Sequence, residues 1–206
     1  MSQHSPSPRL QVLRKNLARN VTQPVVALLA KTPITPNALT VLSVLITIVA
    51  GMLIALHQLL AAGLVVLFAS IFDILDGALA RATNRVTKFG AALDSTLDRL
   101  SDGVIFCGLV LFFSDTGSHL GVALAAIAMM LSFLVSYARA RAEGLGLDCQ
   151  VGIFTRSERI GLVVLGLLLS SFGFVLTSVL IIVIVLSAIT VGQRLFLVWQ
   201  KTHPGI

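Results

Sequence analysis

Charged residues are scarce in this chain of 206 residues, since Asp, Glu, Lys and Arg make up 12% of it and hydrophobic residues make up 56%. A soluble domain usually carries about 25% charged residues, so the composition excludes a soluble globular enzyme and a disordered chain. Cysteine is also rare. Cys107 lies in an apolar stretch and Cys149 in a polar loop, and the sequence has no CxxC pair or Cys/His cluster. We therefore expect neither a disulfide framework nor a zinc site.

Long uncharged runs dominate the rest of the sequence. No Lys, Arg, Asp or Glu occurs between Lys31 and Asp73, or from Ile160 to Gln193. The first run is long enough for two membrane-spanning helices of about 20 residues each. We therefore predict an all-α, polytopic membrane protein with six transmembrane helices. Their predicted ranges are 37–57, 59–81, 89–113 and 119–142, followed by two spans separated by a turn at 170–173.

The N-terminal region has no apolar core of the kind found in secretory signal peptides. Leu10, Leu13, Leu17 and Val21 recur at helical spacing among basic residues, which indicates an amphipathic helix lying at the membrane interface. We divide the chain into four segments. They are a disordered N-terminus at 1–8, a juxtamembrane amphipathic helix at 9–31, a six-helix transmembrane catalytic domain at 32–201 and a tail at 202–206.

The basic residues indicate the orientation. With six spans, all 15 Lys and Arg residues fall on one side of the membrane or in the adjoining helix halves. The positive-inside rule makes that side cytoplasmic, together with both termini, and we expect the protein in the plasma membrane. The net charge of +6 is then a consequence of topology, and we expect no nucleic-acid partner.

Acidic residues inside the spans are the strongest functional signal, because each costs roughly 2.5–3.5 kcal/mol to insert. Five of the nine acidic residues lie in or beside the second and third spans. They are Asp73, Asp76, Asp94, Asp98 and Asp102. The first two are three residues apart and the last three are four residues apart, so each set shares one helix face. Because the connecting loop is short, we expect the two helices to pack as antiparallel neighbours with their acidic faces together.

Several carboxylates in one low-dielectric pocket repel one another, so protons or cations must neutralise them. Oxygen ligands suit Mg²⁺, Mn²⁺ or Ca²⁺, and such ions in turn bridge the oxygens of phosphate-bearing substrates. The alternative is a set of salt bridges with nearby basic side chains. Those side chains are Arg81, Arg85, Lys88 and Arg99.

Eight residues within 26 positions form the pattern Asp73-x2-Asp76-Gly77-x2-Ala80-Arg81-x8-Gly90-x3-Asp94-x3-Asp98. It resembles the complete signature of the CDP-alcohol phosphatidyltransferases. The wider sequence, most strongly through 72–110 and 136–165, is similar to the bacterial phosphatidylinositol phosphate synthases of that family. Six spans and an N-terminal interfacial helix also fit this resemblance.

The resemblance implies transfer of the phosphatidyl group from CDP-diacylglycerol to inositol phosphate, with release of CMP, by a homodimeric enzyme. It implies two Mg²⁺ ions, which Mn²⁺ can replace, and Asp98 as the general base. The implied metal ligands are Asp73, Asp76, Asp94 and Asp98. The implied CDP-lipid site consists of Gly77, Ala80, Arg81 and Gly90. Asp102 lies outside the signature, and we expect it to pair with Arg99 or to cap the polar layer.

A second polar cluster indicates an anionic acceptor. Thr155 and Glu158 form a capping-box pattern that predicts a helix start. Arg156 and Arg159 then fall in the first turn, where basic residues oppose the helix dipole but backbone N–H groups favour an anion. We expect four arginines to bind the acceptor phosphate. They are Arg156, Arg194, Arg139 and Arg159. The alternative, which is strongest for Arg139, is that arginines simply mark cytoplasmic helix ends.

Two other functions fit parts of the sequence. Glycerol 3-phosphate as acceptor would keep the chemistry and give phosphatidylglycerol phosphate. A divalent-cation transporter would also place acids inside the membrane. However, the outer halves of the spans are almost purely apolar, which favours a cavity with one mouth over a transport path.

Overall fold

The computed structural model describes residues 23–203, which contain a short helical segment at 23–29, six longer helices and no β-strand. The longer helices are α1 (Pro36–Ala55), α2 (Leu59–Ala82), α3 (Lys88–Asp115), α4 (His119–Gly144), α5 (Arg156–Leu168) and α6 (Val175–Thr202). The all-α prediction is confirmed for this range. The predicted segment 1–8, most of the predicted helix 9–31 and the last residues of the predicted tail lie outside it.

Hydroxyl side chains fix the start of several helices. The Thr35 hydroxyl accepts the N–H of Ala38 at 3.2 Å, and Pro36 occupies the first turn of α1. Thr87 begins α3 in the same way and Ser118 begins α4. These side chains satisfy backbone N–H groups that have no partner within the helix, so the local sequence determines where α1, α3 and α4 begin.

The six helices close into a ring in the order α1, α2, α5, α6, α4, α3, and each packs against its two neighbours. The expectation that the second and third spans pack directly against each other is wrong. Instead, α1 packs extensively against both α2 and α3, whereas α2 and α3 do not pack extensively against each other. Acidic faces repel when they pack directly, whereas α1 offers hydroxyl groups to the carboxylates of α2.

Apolar side chains fill the ring at the end where α1 and α3 finish. Ile54, Phe106 and Leu167 are completely buried there. α1 and α3 approach most closely at Gly51 and Gly108, because a Cβ atom on Gly108 would lie 2.6 Å from the Gly51 carbonyl oxygen. This end of the ring is therefore a packed core with no room for an additional side chain at that crossing.

Ionic and apolar contacts also join the connecting segments to the ring. Near the packed core, His57 Nε2 in the α1–α2 turn lies 2.7 Å from Asp115 Oδ2 at the end of α3. At the other end, Val26 from the 23–29 segment packs with Leu39, Leu75 and Leu79. The 23–29 segment thus lies beside the end where α1 begins and α2 finishes.

Among residues 23–203, four helices are long and apolar enough to cross a membrane, namely α1, α2, α4 and α6. Their composition indicates a membrane protein. The remaining two differ, because α3 carries charged residues through its first half and α5 has 13 residues, about 20 Å of helix. Six complete spans therefore stay a prediction for α3 and α5.

Candidate active site

Two adjoining cavities lie at the end of the ring where α1, α3 and α5 begin. The motif cavity, about 290 Å³, is formed by the starts of α1 and α3 and the end of α2. The arginine cavity, about 670 Å³, is formed by α3, the end of α4, the start of α5 and Arg194 of α6. Asp94 lines both cavities, so its carboxylate lies at their boundary.

The motif cavity collects most of the signature residues. Its lining includes Asp76, Gly77, Ala80, Arg81, Gly90 and Asp94. A Cβ atom on Gly77 would lie 3.4 Å from the nearest neighbouring atom, Nη1 of Arg81, so the protein itself leaves space there. Around Gly90 the space is tighter, with Thr87 Oγ1 at 3.0 Å. Gly77 thus exposes backbone to the cavity, as a closely bound ligand would require.

Hydroxyl groups of α1 hold the two carboxylates of α2. Thr40 Oγ1 donates to Asp76 Oδ2 at 2.7 Å, and the Ser43 hydroxyl donates to Asp73. Thr47 continues this buried polar stripe one turn further. These residues were not predicted from the sequence. The available signal was hydroxyl side chains at helical spacing within an otherwise apolar span.

Arg156 connects the acidic faces of α2 and α3. Its Nη1 atom lies 2.8 Å from Asp73 Oδ2 and 2.8 Å from Asp98 Oδ1, and its Nε lies 3.4 Å from Asp102 Oδ1. The Arg156 side chain is 27% exposed, so the pairs are only partly screened by solvent. The first turn of α5 therefore places positive charge between the carboxylates of two helices.

The signature carboxylates fit divalent cations by their chemistry. Within residues 23–203 no three His, Cys, Asp or Glu side chains are already close enough together to hold a metal ion. The site nevertheless accommodates positive charge, because the Arg156 guanidinium is bound by both Asp73 and Asp98. Carboxylate oxygens are the ligands that Mg²⁺ and Mn²⁺ prefer, and no soft ligand lines either cavity in the described part of the chain.

Asp102 contacts α5 and not Arg99. Its Oδ2 atom lies 2.5 Å from Arg159 Nη2, and the two side chains are 1% and 0% exposed. Arg99 instead donates to the backbone oxygen of Ser95. The expected Asp102–Arg99 pair is therefore wrong, because Arg99 bonds within its own helix. Arg159 lies behind the arginine cavity and not in its lining.

The other three predicted phosphate ligands line the arginine cavity. Arg139 is exposed and pairs with Glu143 at 2.8 Å. Arg194 is 4% exposed, donates through Nε to the Val151 oxygen at 3.0 Å and also donates to the Val135 oxygen. The structure thus brings Arg139, Arg156 and Arg194 to one cavity.

The end of α6 holds the loop that precedes α5. The Ile153 N–H donates to Gln193 Oε1 at 3.2 Å, and the Phe154 N–H donates to Thr190 Oγ1 at 3.2 Å. Gly152 has φ +138°, and a Cβ atom there would lie 2.7 Å from Thr190 Cγ2, so a side chain would be strained. These contacts set the path of the chain into Arg156, and the sequence analysis did not find them.

Known proteins of one family are similar to this chain over almost the whole helical bundle. The family model for CDP-alcohol phosphatidyltransferases matches residues 33–199. The phosphatidylinositol phosphate synthase of Mycobacterium tuberculosis (strain ATCC 25618 / H37Rv) is 36% identical over 204 residues, covering 96% of this chain and 93% of the relative. The archaetidylinositol phosphate synthase of Methanothermobacter thermautotrophicus is 42% identical over 145 residues, covering 69% of this chain and 72% of the relative.

Solved structures show the same fold. A crystal structure of the Mycobacterium tuberculosis phosphatidylinositol phosphate synthase with CDP-DAG bound has a TM-score of 0.81 at 36% identity, covering 87% of this chain and 94% of that one. A second crystal structure of that enzyme, in complex with manganese and citrate, has a TM-score of 0.79 at 36% identity, covering 86% of this chain and 88% of that one.

Proposed function

The chain belongs to the CDP-alcohol phosphatidyltransferase family, and from this membership and the geometry of its cavities we propose that it transfers the phosphatidyl group of CDP-diacylglycerol to inositol phosphate. The products are CMP and phosphatidylinositol phosphate, a step of phospholipid biosynthesis. One observation carries the proposal: a cavity lined by the family signature adjoins a cavity lined by three arginines, and Asp94 lies between them.

The motif cavity is the proposed site of the CDP-lipid. Gly77 and Gly90 allow close approach of the pyrophosphate, while Ala80 and Arg81 complete the wall. The acidic residues Asp73, Asp76, Asp94 and Asp98 would hold two Mg²⁺ ions, or Mn²⁺ in their place. The chemistry that such ions supply when bound is neutralisation of the phosphate oxygens and of the departing CMP. This assignment is supported by the donor set and by the Mycobacterium tuberculosis enzyme in complex with manganese and citrate.

Asp98 is the proposed general base. It lines the arginine cavity, where the acceptor would lie, and it belongs to the helix that also carries Asp94 at the boundary. The acceptor hydroxyl gives its proton to an Asp98 oxygen while its own oxygen bonds to the β-phosphorus. The bond from that phosphorus to the oxygen of CMP breaks, and CMP leaves with the electron pair.

The arginine cavity is the proposed site of the acceptor phosphate. Arg156 lies in the wall of this cavity with a planar guanidinium that suits phosphate oxygens, and Arg139 lies at the exposed wall. Arg194 also lines the cavity and adds positive charge, although its Nε and Nη1 atoms donate to backbone oxygens. A phosphate-bearing acceptor fits this positive charge better than an uncharged polyol does. Inositol phosphate is favoured over glycerol 3-phosphate by the names of the relatives.

We propose that the site faces the cytoplasm from the plasma membrane, with both termini on that side, because the basic residues gather at the end of the cavities. A homodimer is part of the same proposal, based on the family. A divalent-cation transporter would need a polar route through the ring, and the buried side chains Ile54, Phe106 and Leu167 fill the opposite end.

Release of CMP by the purified protein tests the proposal. CDP-diacylglycerol and Mg²⁺ are supplied with inositol phosphate or glycerol 3-phosphate in parallel reactions. Release with inositol phosphate alone is the expected result. Release with glycerol 3-phosphate alone would support the proposed type of reaction but refute the assignment of inositol phosphate as the acceptor. Folded protein that releases CMP with neither acceptor would overturn the proposed reaction.

A further inference from the structure

The ion pair between Asp102 and Arg159 lies outside the family signature. Asp102 lines the arginine cavity, whereas Arg159 lies behind it and lines neither cavity. Arg159 is completely buried, and its Nε and Nη1 atoms have no hydrogen-bond partner among the described residues. Burial removes both charges from water, and the mutual attraction of such a pair often fails to repay that cost. Replacing a buried ion pair by apolar side chains of similar volume is often neutral or stabilising. The pair therefore calls for an explanation other than stability.

The Asp102 carboxylate joins the two arginines of α5. Oδ2 binds Arg159 Nη2 at 2.5 Å, and Oδ1 lies 3.4 Å from Arg156 Nε. Asp98 and Asp102 are one turn apart on α3, as are Arg156 and Arg159 on α5, so the two polar faces oppose each other. α3 and α5 are not neighbours in the ring, so these side chains bridge its interior.

We propose that Asp102 and Arg159 are positioning residues that orient Arg156 toward the acceptor phosphate, an inference that rests on the proposed function. Arg159 fixes one oxygen of the Asp102 carboxylate, and the other oxygen then holds the Nε edge of Arg156. Because a guanidinium is planar, a restrained Nε edge sets the direction of both Nη groups. The Nη1 atom contacts Asp73 and Asp98, and Arg156 lines the arginine cavity. Arg159 thus acts through Arg156 and does not itself meet the phosphate.

A simple structural brace between α3 and α5 is the competing explanation. It predicts that loss of the pair lowers thermal stability and affects both substrates alike. The positioning role predicts a selective loss for the acceptor, and only while Arg156 is present. The two explanations are separated by a KM comparison and by a double-mutant cycle.

The test replaces both partners together, so that neither leaves an unpaired buried charge. The variant Asp102→Leu/Arg159→Met removes the pair, and Asp102→Asn/Arg159→Gln is a polar second version if the first does not fold. We expect the KM for inositol phosphate to rise about tenfold, with the KM for CDP-diacylglycerol and the midpoint of thermal unfolding nearly unchanged. Without CDP-lipid, calorimetric binding of inositol phosphate should weaken by a similar factor.

The cycle with Arg156→Ala shows whether the effect passes through Arg156. We expect the pair variant to add nothing to the acceptor KM of Arg156→Ala. The matched control is His57→Gln/Asp115→Asn, which removes the polar contact between these two side chains at the opposite end of the ring and should leave both KM values unchanged. Multiplicative effects of the pair variant and Arg156→Ala would overturn the inference.

Failure of the proposed function gives a different result. If the unmodified protein uses only glycerol 3-phosphate, the same cycle is measured with that acceptor, and an unchanged KM in the pair variant overturns the inference. If it releases no CMP with either acceptor, the proposed function and this inference fail together. An unmodified protein that turns over inositol phosphate, with an equally active pair variant, overturns the inference alone.

Discussion

We expect Gly77 to be required for binding of the CDP-lipid but not for stability of the fold. It lies inside α2 and lines the motif cavity, and the nearest atom to an added Cβ is the flexible end of Arg81 at 3.4 Å. The protein alone therefore tolerates Gly77→Ala, and alanine is the better helix former by about 1 kcal/mol. A gain of that size corresponds to a thermal midpoint about 2–4 °C higher for a chain of this length.

The bound substrate would meet the new methyl group. Overpacking a close contact costs typically about 1–3 kcal/mol, which corresponds to a KM for CDP-diacylglycerol raised roughly 5- to 150-fold. The KM for the acceptor should change little, because Gly77 does not line the arginine cavity. Steady-state release of CMP at varied CDP-lipid, in mixed micelles, measures this effect.

Gly192→Ala is the matched control. Gly192 is also a helical glycine, lies in α6 with open space around an added Cβ, and lines neither cavity. It should show the same gain in thermal midpoint with unchanged kinetics. An unchanged KM for CDP-lipid in Gly77→Ala would refute the close approach of substrate to α2. A lower thermal midpoint would refute the free space inferred around Gly77.

Three further results are expected. Asp98→Asn should reduce turnover at least about 100-fold while CDP-lipid still binds, and retained turnover would remove Asp98 as the base. Excess EDTA should abolish CMP release, with recovery on adding Mg²⁺ or Mn²⁺; activity that persists in the chelator argues against metal dependence. Gly108→Ala should lower the thermal midpoint by about 2–12 °C, since the methyl group would lie 2.6 Å from the Gly51 oxygen; an unaltered midpoint contradicts the close helix crossing.

Helix positions were predictable because their signals are local. Uncharged runs separated by polar turns predicted 37–57 for α1 and 59–81 for α2, and the structure has Pro36–Ala55 and Leu59–Ala82. The Thr155–Glu158 pattern predicted the start of α5, where the Glu158 carboxylate accepts the Thr155 N–H at 2.9 Å. Such caps depend on residues close in sequence, so the fold beyond them is not needed.

Partners across the ring were not predictable in the same way. Asp102 was expected either to pair with Arg99 or to cap the polar layer, and its partner is Arg159, 57 residues away. Arg159 was expected to bind phosphate, and its rotation about α5 instead turns it toward α3. Helical spacing predicts which residues share a face of one helix. The residues that this face contacts depend on which helices are neighbours in the ring, and spacing does not give that order. The motif cavity was accessible from sequence because its residues follow a fixed pattern on two consecutive helices.

The short length of α5 makes the position of Arg156 sensitive to the thickness of the surrounding bilayer. With 13 residues α5 rises about 20 Å, whereas the four apolar helices of the described bundle rise about 30–42 Å, and a hydrocarbon layer is about 30 Å thick. As a predicted span, α5 with the exposed Phe172 would require local thinning of the bilayer or a shift of the helix along the bilayer normal. Any such shift moves Arg156, at the first turn of α5, relative to the carboxylates of α3. Under the proposed function, bilayer thickness would then alter the geometry of the active site, and we expect reconstitution into lipids of increasing chain length to reduce turnover.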